Sequence, residues 1–312
     1  MEKKLNLLND YLFMKYMGEK GDEEQLTSFL NAVLQKTGKG NISSVTIVKN
    51  RAFSAEIAGG KSCVLDLRAV LDSGAKVNIE VQLRNRNNMD RRSLFYWSRE
   101  FVRGIKSGQN YVDVPNVIAI NIIDCEFMPE IDGIQTCFHL WEDSCKDKML
   151  TDALEIHFVS MFKFRQLKEK DIENNPLHRW MAFFSKETDE ATIKKIIQMD
   201  KAIKKAYGKI SHVSFDEEEL RIYEMRELAQ MDYDINMTAA RREGMEKGMR
   251  KGRQEGLEKG MRKGMQKGIR RGMQKGRQEA LSEMLKLFKE GKSVEEISRL
   301  LNLPDENESI HI

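Results

Sequence analysis

Two short runs of alternating apolar and polar residues constrain the fold of this chain most. Residues 65–71 and 76–83 each place an apolar side chain at every second position, which is the period of a β-strand with one buried face. The tripeptide Asp72-Ser73-Gly74 lies between them and predicts a three-residue hairpin turn with its glycine in the left-handed conformation. Leu71 then pairs with Ala75, so the numbers of paired residues sum to 146.

This register places two carboxylates, those of Asp66 and Glu80, on directly opposed positions of the polar face. Their β-carbons would lie about 5 Å apart, and the two charges repel unless they share a cation. Oxygen ligands of this kind suit Mg²⁺, Mn²⁺ or Ca²⁺, and such an ion can serve phosphodiester hydrolysis. A half-exposed hairpin with a solvated polar face is the alternative, and alternation alone favours it.

The rest of the chain alternates between helical and β-rich segments. Asn9 and Asp10 can cap a first helix, and a helix over about residues 90–107 carries Leu94, Trp97, Phe101 and Ile105 at the spacing of a buried stripe. A second helix is predicted over residues 23–34, and a helical region over residues 176–239. Strands are predicted over residues 45–48, 63–71, 76–83, 117–123, 135–141 and 154–162. This order predicts an α/β fold, a mixed sheet flanked by helices with a helical C-terminal extension.

A low-complexity tail follows, in which nine glycines recur at every fourth position from Gly244 to Gly276. Each glycine costs about 1 kcal/mol in a helix relative to alanine, so an isolated helix is disfavoured here unless partners support it. Residues 241–279 contain 14 Lys and Arg against 5 Asp and Glu, a net charge of +9 within a chain of net +3. This segment predicts nonspecific affinity for DNA and possible self-association, and a plain spacer is the alternative.

Several classes of protein are disfavoured by what the sequence lacks. The longest apolar stretch is too short to span a bilayer, and the N-terminus has no apolar signal core, so we expect a cytoplasmic protein. We expect the four cysteines to be reduced packing residues and His139, His157 and His178 to be structural, with no zinc site, because their spacing matches no zinc motif. Ser293 begins a capping box, but too few residues follow for a DNA-reading helix-turn-helix.

Asp66, followed after a hairpin by Glu80-Val81-Gln82, resembles the PD-(D/E)XK nuclease signature in a variant where glutamine replaces the final lysine. The wider match, which includes residues 9–15 and 92–111, resembles Rpn-type recombination-promoting nucleases, also described as PD-(D/E)XK nuclease family transposases. It covers residues 1–240. The resemblance implies a restriction-endonuclease-like nuclease core over residues 1–165, and we expect a helical extension over 166–240, the basic repeat over 241–279 and a helical segment over 280–312.

The resemblance also implies roles for individual residues. Asp66 and Glu80 would bind a divalent metal, most simply Mg²⁺, with the Val81 carbonyl as a third ligand. Gln82 would position water in place of lysine, but a neutral amide supplies no charge, so a cation must come from elsewhere or from a second metal.

Two further groups have open interpretations. On the helix after the hairpin, a polar stripe either holds DNA phosphates or is a solvated face; it consists of Arg92, Tyr96, Arg99 and Arg103. Asp10 either adds a carboxylate to the site or caps its helix.

The leading hypothesis is therefore a metal-dependent DNA endonuclease linked to recombination or mobile DNA. A second hypothesis, motivated by the missing lysine, is a catalytically silent nuclease fold that acts as a DNA-binding or oligomeric interaction module. A third is a transposase that joins DNA strands.

Overall fold

A computed structural model describes residues 4–48, 67–83, 88–105, 107–145 and 147–301, and every structural statement below concerns these residues. The chain divides into two compact units, Met1–Tyr233 and Asp234–Ile312. The first unit contains the sheet and most of the helices. The second contains the whole glycine repeat.

A six-stranded mixed sheet forms the centre of the first unit. Its strands are β1 (Val45–Val48), β2 (Leu67–Leu71), β3 (Lys76–Gln82), β4 (Val117–Ile123), β5 (Gln135–Trp141) and β6 (Met149–Ser160). The spatial order is β1-β2-β3-β4-β6-β5. The pairs β3–β4 and β4–β6 are parallel and the other three pairs are antiparallel. The predicted mixed sheet is confirmed.

Helices cover both faces of this sheet and continue beyond it. They are α1 (Asp10–Met17), α2 (Glu23–Leu34), α3 (Met89–Val102), α4 (Met161–Gln166), α5 (Pro176–Phe184), α6 (Glu190–Met199), α7 (Lys201–Phe215), α8 (Glu217–Lys289) and α9 (Val294–Leu300). Asn9 caps α1 as predicted, because its side chain accepts hydrogen bonds from the first backbone N–H groups of the helix. The Ser293 capping box at α9 is also confirmed.

The main core lies between one face of the sheet and the helices α1, α2, α5 and α7. Phe29 and Trp180 are fully buried there and meet edge to face, with ring centroids 5.8 Å apart. Tyr16 is fully buried in the same core and donates its hydroxyl to the Leu7 carbonyl at 2.7 Å. This apolar face fixes which side chains of each strand point to the opposite side of the sheet.

The hairpin has the register that the alternation predicts. Leu67 pairs with Ile79 and Val70 with Lys76, so the paired numbers sum to 146 in the described part. Gly74 has φ of +83°, and the Leu71 amide donates to the Ala75 carbonyl at 2.9 Å. The first part of the predicted strand, residues 63–66, lies outside the described residues.

Helix α3 is oriented differently from the prediction. Leu94 and Ile105, two residues of the predicted buried stripe, are 51% and 38% exposed, while Ser93 and Glu100 are buried. The helix ends at Val102, earlier than predicted. The side that faces the sheet is mixed: Met89 and Trp97 pack against apolar residues there, and Ser93 and Glu100 have polar partners on the sheet.

The glycine repeat forms part of one continuous helix, α8, which passes through all nine glycines from Gly244 to Gly276. The repeat is therefore helical, and the expectation that partners support such a helix stays a prediction. Residues 235–286 of this helix are exposed in the chain. Within the described residues, no helix combines the length and apolarity that crossing a bilayer requires.

Candidate active site

Three polar side chains of β3 lie on the face of the sheet that α3 covers. Asn78, Glu80 and Gln82 are only 1%, 2% and 6% exposed. The alternative of a solvated hairpin face is therefore wrong for this strand. A buried carboxylate is costly unless neighbouring groups compensate its charge, so its contacts define what this site can do.

The neighbouring strand β4 extends this polar surface. Asn121 pairs with Glu80 in register and is 3% exposed. Its side-chain amide donates to the His157 carbonyl at 3.1 Å, and its side-chain oxygen accepts from the Ser93 hydroxyl at 2.9 Å. Ser93 thus links α3 to the sheet beside Glu80. These bonds hold the helix in place over the carboxylate.

One oxygen of Glu80, Oε2, has two polar neighbours. Gln82 Nε2 donates to it at 3.0 Å, and Arg92 Nε lies 3.5 Å from it. The Arg92 guanidinium also donates to the Tyr96 hydroxyl at 3.1 Å and lies 5.1 Å from the centre of the Tyr96 ring. Arg92 is therefore a positioned cation that partly offsets the charge of Glu80.

A second set of charges lies along the same helix and sheet face. Arg68, which pairs with Asn78, has its NH1 atom 3.4 Å from Glu100 Oε1, and Arg103 also pairs with this carboxylate. Arg99 is exposed. The predicted phosphate stripe therefore divides, with Arg92 and Tyr96 near Glu80 and Arg103 bound to Glu100.

The other predicted site residues are placed differently. Asp66 lies outside the described residues, so its role as a metal ligand stays a prediction. Val81 is half-buried between Glu80 and Gln82, and its role as a ligand is likewise untested.

Asp10 lies in the first turn of α1, where one carboxylate oxygen accepts from the Tyr11 amide at 2.7 Å and the other lies 3.9 Å from Arg226. Burial raises the pKa of Asp10, and Arg226 opposes this shift. These contacts give Asp10 local partners in α1 and α8.

Sequence reasoning missed Ser93, Glu100 and Asn121. Asn121 carries a usable signal, because it is the only polar residue in the apolar run of β4. A single amide in a fully buried strand must find a polar partner, and that partner marks the polar side of the sheet. Ser93 and Glu100 give no such signal, since their burial depends on how α3 is rotated.

A second polar cluster lies on strands β5 and β6. Ligand atoms of Cys137, His139 and Glu155 lie within 4.8 Å of one another. Cys137 and His139 are two residues apart in β5, and the pairing of β5 with β6 brings Glu155 next to them. No zinc spacing motif marks this group, and the expectation that the chain has no zinc site stays a prediction. Cys125, Cys137 and Cys145 are free thiols, as expected.

The sequence profile of the PD-(D/E)XK nuclease family transposases matches residues 7–240 of the 312. The chain belongs to this family. The match spans the whole sheet and the helices around it, so the mixed sheet described above is the family's nuclease fold in this chain. Searches of curated proteins and of solved structures gave no match.

Membership in a PD-(D/E)XK nuclease family supports a nuclease-like function and raises the question of whether the described residues fit a divalent metal. The donors near Glu80 are a carboxylate and side-chain amides, which are oxygen ligands that Mg²⁺ accepts. Asn78 Oδ1 is buried and has no hydrogen-bond partner among the described residues, so an acceptor on this face remains to be satisfied by a water or a cation. The described residues fit an oxygen-preferring metal.

Proposed function

We propose that this chain is a metal-dependent DNA endonuclease that hydrolyses phosphodiester bonds, with its active site at Glu80, Gln82 and Arg92. The observation that carries this proposal is the convergence of Gln82 and Arg92 on one oxygen of a carboxylate that is 2% exposed. A structural role alone does not require a glutamate at a position that an apolar residue would fill at less cost.

Asp66 completes the proposed ligand set. In the described hairpin the numbers of paired residues sum to 146. The numbers 66 and 80 have the same sum, so the same register would place Asp66 opposite Glu80. We propose that the two carboxylates hold Mg²⁺, with Mn²⁺ or Ca²⁺ as substitutes. A divalent ion held there would polarise a phosphoryl oxygen and lower the pKa of its bound water.

In the usual signature one lysine both positions water and supplies positive charge, and here Gln82 would do the first and Arg92 the second. The Gln82 amide orients Glu80 through the 3.0 Å hydrogen bond and can position a water, but it has no charge. Arg92 has the charge, and it reaches the site from α3 rather than from the strand. We propose that Arg92 stabilises the negative charge that develops on the phosphate during cleavage.

DNA is the proposed partner of two parts of the chain. The nuclease fold cleaves the phosphodiester backbone of the DNA. The basic segment 241–279, with 14 Lys and Arg, adds affinity for DNA that depends on salt and not on the DNA sequence. A link to recombination or mobile DNA is the biological setting that the family description favours. We also propose that the chain self-associates through the repeat, because almost all side chains of α8 in this segment are exposed within its own chain.

The test is cleavage of supercoiled plasmid by the purified full chain with Mg²⁺, Mn²⁺ or Ca²⁺. We expect metal-dependent nicking by the unaltered chain and its loss in Asp66→Ala and Glu80→Gln. The matched control is Glu130→Gln, because Glu130 is exposed. A circular dichroism spectrum of each variant verifies that it folds. Absence of metal-dependent nicking, or full activity in the two site variants, would overturn the proposal.

The same preparation separates the competing hypotheses. A silent nuclease fold retains DNA without cutting it under every metal condition. A strand-transferring transposase joins a donor DNA end to a target, whereas an endonuclease yields only hydrolysed ends.

A further inference from the structure

A compact group of sulfur, nitrogen and oxygen donors lies on the opposite face of the sheet from Glu80. Cys137 and His139 belong to β5, and Glu155 belongs to the neighbouring strand β6. The residues next to Glu155 in β6, Leu154 and Ile156, point to the face that α3 covers, so Glu155 points away from it. The group is therefore separate from the proposed nuclease site.

The three residues each have one potential ligand atom within 4.8 Å of the other two. Cys137 Sγ is near His139 Nδ1 and Glu155 Oε2 is near His139 Nε2, and an imidazole binds one ion through one of these nitrogens. Ligands of a tetrahedral zinc ion are roughly 3.3–3.8 Å apart, since Zn–N, Zn–O and Zn–S bonds are about 2.0–2.3 Å long, so a side-chain movement of about 1 Å brings the three atoms to that spacing. A thiol, an imidazole and a carboxylate are also the side chains that zinc accepts.

Glu155 is held in one orientation by a shell of hydrogen bonds. It is fully buried, and its Oε1 lies 2.6 Å from His157 Nε2 and accepts from the Thr37 hydroxyl at 2.8 Å. The Gln135 amide nitrogen donates to the Val33 carbonyl at 2.7 Å, which fixes the amide, and it lies 3.2 Å from His157 Nδ1. His157 Nδ1 therefore accepts, and the ring proton on Nε2 is donated to Glu155. Ligating carboxylates in metal sites are oriented in this way.

Lys39 forms an ion pair with Glu155 and neutralises its charge. Its Nζ lies 2.7 Å from Glu155 Oε2, the same oxygen that lies near His139, and the Lys39 side chain is 38% exposed. A long, partly exposed lysine can withdraw into solvent at small cost. A divalent ion at Glu155 would therefore replace Lys39 as the neutralising charge.

Cys137 is half-buried, and a metal that binds a thiolate displaces the proton of the thiol. His139, with 12% of its side chain exposed, leaves a route from solvent.

We propose that Cys137, His139 and Glu155 form a second metal site, selective for zinc or a similar borderline-soft divalent ion, with His157 as the positioning residue for Glu155. Such an ion ties the edge strand β5 to β6. It stabilises the sheet.

Cobalt substitution tests the proposal directly. The full chain is stripped with a chelator and titrated with Co²⁺, and a thiolate-to-cobalt charge-transfer band is expected that Zn²⁺ abolishes. Cys137→Ser removes the band. Cys125→Ser and Cys145→Ser, each the loss of another free thiol, keep it. A band that survives Cys137→Ser, or no band in the unaltered chain, would overturn the proposal.

Three further variants keep the test decisive if Cys137→Ser does not fold. His157→Gln is expected to weaken Co²⁺ binding about 10- to 100-fold, since an outer-shell partner is lost. Lys39→Gln is expected to tighten binding, because the competing ammonium is removed. Unchanged binding in both variants contradicts the proposal. Glu80→Gln is expected to bind Co²⁺ with an unchanged thiolate band, which separates this site from the nuclease site.

Discussion

Arg92 Nε lies 3.5 Å from Glu80 Oε2, although the two residues belong to a helix and a strand separated in sequence. The sequence alone leaves the positive charge of the site unassigned, since Gln82 occupies the position of the usual lysine. The structure brings a permanently charged guanidinium to the carboxylate.

Replacing this guanidinium tests its proposed catalytic role. We expect Arg92→Gln to lower the rate of plasmid cleavage at saturating metal and DNA by roughly 10²-fold or more, the usual effect of removing one donor to a developing negative charge. The measurement is the single-turnover cleavage rate.

Arg91→Gln is the matched control, because Arg91 is the exposed neighbour in the same helix. We expect it to cleave at close to the unaltered rate. If the two variants cleave equally well, Arg92 has no part in catalysis. If Arg92→Gln keeps the unaltered cleavage rate but unfolds at a different urea concentration, the pairing of Arg92 with Glu80 stabilises the fold and does not act in cleavage.

Two glycines have opposite predicted effects on stability. Gly74→Ala is expected to lower the free energy of unfolding by about 1–2 kcal/mol, because Gly74 has φ of +83° and alanine is strained there even though no described atom lies within 4 Å of the added carbon. Gly208→Ala, in the interior of α7, is expected to raise it by about 1 kcal/mol. Urea unfolding measures both. A stabilising Gly74→Ala would contradict the observed turn.

Tyr223 gives the first unit a dependence on alkaline pH. Burial raises the pKa of Tyr223 from 10.0 to about 12; its hydrogen bond with the Asn6 amide opposes the shift, and the charge of Glu227 adds to it. Because the folded pKa is above the unfolded one, its contribution to stability is complete below pH 10 and is lost as the pH rises towards 12.

Tyr223→Phe is therefore expected to reduce the loss of stability in this pH range, by about 2 kcal/mol at its upper end. Tyr207→Phe is the control, because Tyr207 is 44% exposed. The measurement is the urea midpoint as a function of pH, under reducing conditions. Identical pH profiles for the two variants would contradict the prediction.

The hairpin could be predicted from the sequence because both of its determinants are local. Period-two alternation fixes the faces of β2 and β3, and Gly74 fixes the turn, so the register follows without knowledge of the rest of the fold. The rotation of α3 is not local. The hydrophobic stripe predicted Leu94 to be buried, but Ser93 and Glu100 have polar partners on the sheet, and Leu94 is exposed.

The Cys137 cluster could not be predicted because it depends on strand pairing. Cys137 lies opposite His157 only in the register of β5 with β6, and this register shifts between Phe138 and Leu140. Neither the pairing nor the shift follows from the residues of either strand alone. The burial of Glu155 could not be predicted either, because its partners Thr37 and Lys39 come from a segment that is distant in sequence.

The basic repeat is expected to contribute affinity for DNA but no catalysis. Deleting residues 241–279 removes 14 Lys and Arg. Each phosphate contact changes the slope of log affinity against log salt concentration by about 0.9 on duplex DNA, so we expect the deletion to weaken binding most at low salt and to flatten the slope by several units. The measurement is fluorescence anisotropy with a labelled duplex at several salt concentrations.

The deletion also separates binding from chemistry. At saturating DNA the cleavage rate is expected to be unchanged, because Glu80, Gln82 and Arg92 all lie in the first unit, Met1–Tyr233. Deleting residues 280–312 is the control, since that segment contains 4 Lys and Arg against 7 Asp and Glu and should not reduce affinity. A deletion of 241–279 that leaves the salt slope unchanged would assign DNA binding to the first unit, where Arg68 of β2 and Arg92 of α3 lie.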